Sequence, residues 1–531
     1  MAAQVATAWQ AVLGVEPKDG DDFFLLGGTS LRAALLTATL RADGLQLAIA
    51  DVLEHPRFAD LARFLSEGGA EARPAIPVVP RGSALPLSHG QEADLLGMLK
   101  DRRDGGAGES CLLPFAVLLT AATEDDVRRA LAAVLARHES LRTGFVLDVQ
   151  RGFATPFVVP VVEATAPVMR LVDIRGSAGI GSEEVPDAAA RWVREMISDA
   201  PAVGAPPLVR FVLGRTQEGL CLVGVVDHLV CDWNGVMILL DELADRLSAP
   251  DGAPVAPARP DFVDWAAWQR RRLAGAEGRR LRDFWRRELE SCGPLPTLQV
   301  PAPDEPDEQE PYVRLEHRFD VNTWRAFRDA GRSRGVGRLP VVLTTWARAW
   351  DRVLGPGQLV AHVPTANRGL PEAASIVGSM AHTLPIRLRG SGADEPLTHL
   401  DQLAGGYRTT LEHQEAPLCW LTEQLAPQDH APPAQPRRLF VTDEEAMSPS
   451  WVWPGGRMQI ITLPWAPQSA HDGVSVHVID DGDTGRVAVV VNGRLVDVAT
   501  IRRVVDALAH CATELTDALS VEPGALSSVA G

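Results

Sequence analysis

Cysteine is sparse and scattered: six residues, Cys111, Cys221, Cys231, Cys292, Cys419 and Cys511, with no C-x-x-C pair among them. That spacing supports neither a structural zinc site nor a dense disulfide frame, and it points to a reducing, cytoplasmic compartment. No apolar run reaches the roughly 18 residues that a membrane span requires, and Met1 to Gln10 has no basic segment followed by an apolar stretch. Neither a membrane-crossing segment nor an export signal is expected. Positive charge is the minority, 51 Lys and Arg against 69 Asp and Glu for a net charge of -18, which disfavours a phosphate-backbone partner such as nucleic acid. Aromatics make up 5%, with 13 Trp but 2 Tyr. No His/Cys/Asp cluster has metal spacing, and no Gly-x-x-x-x-Gly-Lys loop is present to cradle a nucleotide.

What is present is an ordinary globular composition, 46% hydrophobic and 23% charged over 531 residues. At roughly 150 residues per unit, this predicts three or four folded pieces. Residues 1–70 read as a compact helical unit with helices at Ala2 to Leu13, Leu31 to Leu40, Ala50 to His55 and Phe58 to Leu65. A Gly, Ala, Glu and Pro tail follows, so 71–84 is expected to be a linker. Beyond it the pattern is mixed. Thr123 is a candidate N-cap before an amphipathic helix whose first turn holds Glu124, Asp125 and Asp126. Leu208 to Leu213 and Leu220 to Val226 read as two core strands of a hairpin, followed by a helix from Val236 to Leu247. A Pro/Ala break from Ala249 to Pro260 divides an α/β region into lobes of about 85–250 and 260–531. The acidic run from Asp304 to Glu310 reads as a solvated linker.

Two segments carry chemistry. In DDFFLLGGTSL, Ser30 stands where a Gly-rich loop meets a helix start, so it either caps that helix or presents a hydroxyl where the helix N-terminus favours an attached phosphate. The segment resembles the phosphopantetheine attachment motif of carrier proteins, and LQLAIADVLEHPRFADLARFL extends the match across a peptidyl carrier domain. The resemblance implies a small all-α four-helix carrier domain whose Ser30 bears a covalent 4'-phosphopantetheine arm with an aminoacyl or peptidyl thioester. It also implies a phosphopantetheinyl transferase as partner.

The second segment is Asp227-His228-Leu229-Val230-Cys231-Asp232-Trp233, where a buried strand ends in a histidine beside two carboxylates. Such a histidine is either satisfied within a core or suited to proton transfer near neutrality. DHLVCDW resembles the HHxxxDG signature of nonribosomal peptide synthetase condensation domains. LPLSHGQEADLL, RHESLRTGF (Arg137 to Phe145), FVDWAAWQ (Phe262 to Gln269), PTANR (Pro364 to Arg368), VGSMAHTLPIRL (Val377 to Leu388) and HQEAPL (His413 to Leu418) resemble further motifs of that family in the same order.

The resemblance implies two chloramphenicol-acetyltransferase-like lobes in a V shape, spanning residues 85–531, with a tunnel between them. Donor and acceptor thioesters would meet at His228, which positions or deprotonates the acceptor amine. It further implies that Asp232 fixes the loop by pairing with an arginine of RHESLR, Arg137 or Arg142, and that Asn367 marks the family's Asn-Arg turn. An adenylation domain, in trans or on an adjacent module, would load the carrier, and a downstream carrier or a small free amine would be the acceptor.

Two positions depart from the family pattern. Asp227 replaces the first histidine, and Trp233 replaces a glycine, which is expected to narrow the acceptor path. Asp227 and Asp232 also match two acids of the heterocyclization signature DxxxxDxxS, but Gly235 stands in place of its serine. Epimerization fits poorly, because PTANR replaces the EGHGR turn. A condensation-like domain that has lost its chemistry and docks a partner protein is the remaining alternative.

Overall fold

The computed structural model describes residues 1–521 except 14–15, 22, 24–35, 38, 41–43, 46, 48–50, 53–54, 69–75, 82–84, 104–110, 149–152, 160–168, 174–184, 200–201, 249–259, 291–297, 299, 302, 304–311, 335, 369, 371, 390–394, 426–436, 446–449, 454, 462 and 464–472.

The N-terminal unit is built on helices Ala2–Leu13 and Phe58–Ser66, with further helical positions at 36–37, 39–40 and 51–52. Val5, Trp9, Phe23, Leu36, Leu40, Leu47, Val52, Leu61 and Leu65 converge on one core, in which Trp9 meets the edges of Phe23 and Phe58. Ser30 and the pair Gly27-Gly28 lie outside the described residues. Phe23 and Leu36 are both fully buried.

The remainder forms two lobes, each around a six-stranded sheet. The strands are β1 (Leu112–Thr120), β2 (Thr143–Asp148), β3 (Phe153–Val158), β4 (Met169–Asp173), β5 (Val209–Arg215), β6 (Leu220–Asp227), β7 (Tyr312–Phe319), β8 (Gln358–Thr365), β9 (His382–Arg389), β10 (Arg438–Glu445), β11 (Ser450–Trp453), β12 (Gly456–Ile460), β13 (Gly473–Asp480) and β14 (Gly485–Asn492). The first sheet runs β11-β12-β1-β6-β5-β4 and the second β7-β14-β13-β10-β8-β9, while β2 and β3 form a separate hairpin.

The unbroken apolar run of β6 follows from burial on both faces. Leu220, Leu222 and Val226 face the main core of the first lobe, while Cys221, Val223 and Val225 face the helix Val185–Ser198 on the other side. Between them Gly224 opposes Phe115 on β1, and a Cβ there would come 2.3 Å from the phenyl ring. Thr123 caps the helix Glu124–Arg137 through a capping box with Asp126, as its sequence predicts. The second lobe buries Trp285, Trp324, Trp346 and Trp350 beneath its sheet.

Two features were not legible in the chain order. β11 and β12 leave the second half of the chain and extend the first lobe's sheet, β12 pairing with β1 at Val117↔Ile460 and Leu119↔Met458. A division of lobes at 250 and 260 therefore omits a strand exchange. The last residues before the first lobe are also docked rather than free. Ile76 is buried against Phe262 and Trp265, Val79 N–H donates to Asp264 Oδ1 at 2.7 Å, and Arg81 forks onto both oxygens of Asp264 at 2.7 and 2.9 Å. Arg81 also reaches Glu139 at 2.7 Å.

Among the described residues, no helix is long and apolar enough to cross a membrane, and no group of His, Cys, Asp or Glu could hold a metal ion.

Candidate active site

β6 ends at Asp227, and the chain turns sharply before the helix Trp233–Ser248. Asp227 makes the turn: its Oδ1 accepts the Leu229 N–H at 2.9 Å and its carbonyl accepts the Val230 N–H at 3.1 Å. That turn brings His228 out of the sheet, where it is only part-buried while its neighbours on both sides are fully buried. The His228 N–H donates to the Cys111 carbonyl at 2.8 Å, and the imidazole Nδ1 lies 3.2 Å from Ser379 Oγ.

Ser379 belongs to the segment that leads into β9 of the second lobe, yet its neighbour Val377 packs in the first lobe's core. The histidine thus stands where the two lobes meet.

Asp232 locks that junction. It is 0% exposed, and its four bonds satisfy both oxygens. Oδ1 accepts Gly235 N–H at 2.7 Å and Arg368 Nη2 at 2.8 Å, and Oδ2 accepts the N–H groups of Met380 and Ala381 at 3.0 Å each. Arg368 Nη1 also donates to the carbonyls of Ala373 and Ile376 at 2.6 and 2.7 Å. Asn367 supplies the geometry, since its φ of 51° lies in the left-handed region that Asn tolerates better than most residues.

The expected partners of Asp232 need correction. Arg137 pairs with Glu242 at 2.9 Å, and Arg142 donates to the carbonyls of Leu135 and Val159 at 3.0 and 2.6 Å. Neither reaches Asp232; the arginine of PTANR does. The RHESLR segment instead ties the first lobe to the linker and to the start of the helix Phe262–Ala274. His138 Nε2 meets Glu242 at 3.0 Å, Glu139 meets Arg81, and the Glu139 N–H donates to Asp261 at 3.0 Å.

Gly235 is required by contact: a Cβ there would lie 2.6 Å from Cys231 Sγ. Trp233 opens the next helix and is 48% exposed, so it stands out into solvent rather than plugging the core.

Two acids surround the histidine. Asp227 is buried, whereas Asp94, on the helix His89–Arg103, is exposed. The Asp94 carboxyl is pushed up to about 6, chiefly by desolvation, with His228 opposing the shift and the negative Asp227 adding to it. The neighbouring Cys111 thiol is pushed up to about 11, again mainly by desolvation and then by Asp94 and Asp227. It is a poor nucleophile there. His382 is held neutral, its pKa lowered to about 4 by burial, and its Nε2 lies 2.7 Å from the Gln414 carbonyl. It is a structural residue.

A cavity of about 460 Å³ is lined by His89, Arg270, Arg279, Arg282, Trp420 and Gln424 among others. His228, Asp232 and Ser379 do not line it.

Residues 86–509 match the condensation domain family, and residues 3–65 match the phosphopantetheine attachment site. Malpinin synthetase of Mortierella alpina is 28% identical over 440 residues, covering 81% of this chain but 6% of that protein. N-(5-amino-5-carboxypentanoyl)-L-cysteinyl-D-valine synthase of Amycolatopsis lactamdurans is 28% identical over 424 residues, with 78% and 11% covered. The chain therefore spans about a tenth or less of these relatives' length.

Two solved structures share the fold. The first condensation domain of the calcium-dependent antibiotic synthetase has a TM-score of 0.62 at 17% identity, covering 82% of this chain and 98% of that one. The X-domain solved with OxyB from teicoplanin biosynthesis has a TM-score of 0.63 at 20% identity, covering 85% and 97%. With the family match running through both lobes, the chain belongs to the condensation domains of nonribosomal peptide synthetases, the amide-forming acyl-transfer domains, and it carries a phosphopantetheine attachment domain in front.

Proposed function

We propose that this chain condenses an acyl thioester held on Ser30 with an acceptor amine, with residues 1–70 as the carrier, 71–84 as the linker and 85–531 as the condensation domain. The observation that carries the reading is His228, part-buried at the meeting of the lobes with Nδ1 at Ser379 Oγ, in a loop clamped by Asp232 and Arg368. When present on Ser30, the phosphopantetheine arm supplies the acyl group as a thioester.

In the tautomer with Nδ1–H donating to Ser379 Oγ, His228 keeps Nε2 free to accept a proton. The acceptor reacts as its free amine, its ammonium proton having passed to solvent. His228 Nε2 would take the proton that the acceptor nitrogen gives up as the amide forms and would deliver it to the departing thiol side. Holding both reactants in line contributes alongside the base chemistry. The reading requires a phosphopantetheinyl transferase to modify Ser30 and an adenylation domain, in trans or on an adjacent module, to load it. It places the protein in the cytoplasm. The acceptor is a small free amine or an amine on a downstream carrier.

A second reading rests on Asp227 and the exposed Trp233: a condensation fold retained to dock a partner protein. The X-domain, solved in complex with OxyB, has a like fold. Heterocyclization loses ground at Gly235, because the serine of its signature would collide with Cys231 Sγ.

Product mass separates the readings. With Ser30 loaded and amines supplied, an amide that depends on His228 supports condensation, and a product lighter by one further water supports heterocyclization. If no amine is consumed and His228→Ala changes nothing, the docking reading stands.

A further inference from the structure

Ser379, which meets the His228 imidazole, follows a glycine. Gly378 has no side chain to anchor it, and a glycine at that place leaves the backbone free to turn. Three sets of contacts remove that freedom. The Gly378 carbonyl accepts the Asp232 N–H at 3.1 Å. Val377 packs in the first lobe's core, while Ile376 and Met380 pack in a separate small core. The third contact is an aromatic ring: Phe262 covers the Gly378 Cα so closely that a Cβ there would lie 2.1 Å from Phe262 Cδ2 and 2.5 Å from its Cγ.

Phe262 is itself held in place. It is 5% exposed and stacks on Trp265, with ring centroids 5.4 Å apart and planes inclined by 28°. Ile76 of the linker is buried in the same small core. Val79 and Arg81 fasten the linker to Asp264, in the first turn of the helix that Phe262 begins. A chain of contacts therefore runs from Ile76 through Phe262 and Gly378 to Ser379, whose Oγ lies 3.2 Å from the imidazole Nδ1. Close packing transmits displacement along such a chain.

We propose that Phe262 is a positioning residue for the transfer step: its ring, packed with Ile76 of the docked linker, fixes Gly378 and so keeps Ser379 at His228 Nδ1. The docked linker is then part of the active-site scaffold as well as the connection to the carrier. The inference rests on the reading of His228 as the transfer site.

The first measurement needs no acyl group. Nitrogen NMR of the imidazoles in the unloaded full chain, at about pH 8 where an ordinary imidazole is neutral, reports which ring nitrogen of His228 carries the proton. In Ser379→Ala the Nδ1 resonance should move from the protonated toward the unprotonated position. Phe262→Leu should move it the same way, and so should Ile76→Ala, at a position outside the main cores of both lobes. A His228 resonance unmoved in Phe262→Leu and Ile76→Ala overturns the proposal.

The second measurement is single-turnover amide formation with the arm loaded and n-propylamine in excess. Ile76→Ala should slow it on the order of tenfold. In a Ser379→Ala background the same substitution should change the rate by less than about twofold, because its effect passes through Ser379. An equal loss in both backgrounds overturns the proposal, since impaired carrier delivery or a merely structural role would not depend on Ser379.

Together the two readouts separate the proposal from the reading it rests on. A moved resonance in Ile76→Ala, with amide formation indifferent to His228→Ala, supports the positioning and removes the base. An unmoved resonance, with amide formation that depends on His228, overturns the positioning and leaves condensation intact.

Discussion

At the scale of single residues, Asp232 and Arg368 form the tightest feature of the site. Both side chains are almost wholly buried, and they pair at 2.8 Å while holding backbone groups of both lobes. Asp232→Ala leaves a guanidinium desolvated without its anion, so it should destabilise the condensation region by about 3 to 5 kcal/mol. A urea titration would show the midpoint drop, and Asp232→Ala combined with Arg368→Met should recover part of the loss. An unchanged midpoint in Asp232→Ala would contradict the clamp.

Asp94 behaves oppositely. Its folded-state pKa is raised, so the folded protein binds the proton more readily than the unfolded chain does. Stability from this group is therefore lost as pH rises through about 6. Asp94→Leu should melt higher than wild type at pH 7.5, and the difference should shrink as pH falls through 6 toward the ordinary carboxylate range. Melting curves between pH 4 and 8 provide the check.

The residues differ in how far the sequence disclosed them. His228, Asp232 and Asn367 lie in contiguous motifs and were readable. The partner of Asp232 was not, because Arg368 is 136 positions away and nothing in local spacing selects it over Arg137 or Arg142. Asp94 was read only as part of an opening motif, since its meaning comes from neighbours on other elements.

At the scale of elements, the linker was only half legible. Its Gly and Pro content marks a boundary, but the sequence gives no sign that Val79 and Arg81 converge on Asp264, 185 and 183 residues away. That carboxylate also closes the capping box of the helix Phe262–Ala274, so one side chain anchors both the helix and the approach from the carrier. Burial opposes ionisation of Asp264, but the Arg81 fork prevails and holds the carboxyl below its usual range. The stability it confers is present at neutral pH and is lost as pH falls through that depressed value.

Arg81→Ala should release the segment. Hydrogen exchange at the Val79 amide should quicken by about 10- to 100-fold, the equivalent of a charged hydrogen bond, while amides in β6 stay protected. The exchange of β11 and β12 onto the first sheet was illegible for a related reason. SWVW and GRMQI are too short to declare a partner, and their register is set by β1.

At the scale of the whole molecule, length anticipated the number of folded pieces, and the structure shows how two of them become one functional unit. The loop carrying His228 issues from the first lobe, Ser379 and the backbone amides that hold Asp232 come from the segment entering the second, and the docked linker leads to both from the carrier. Each lobe has its own core, but neither holds the site alone.

The central claim is that His228 assists transfer of the Ser30-borne acyl group to an amine, and single-turnover amide formation tests it most directly. With the arm loaded and the preferred amine in excess, the wild-type chain should form one amide per carrier, Ser30→Ala none, and His228→Ala the same amide more slowly by about 10²- to 10⁴-fold. An amide rate in His228→Ala equal to that of the wild type would contradict the account.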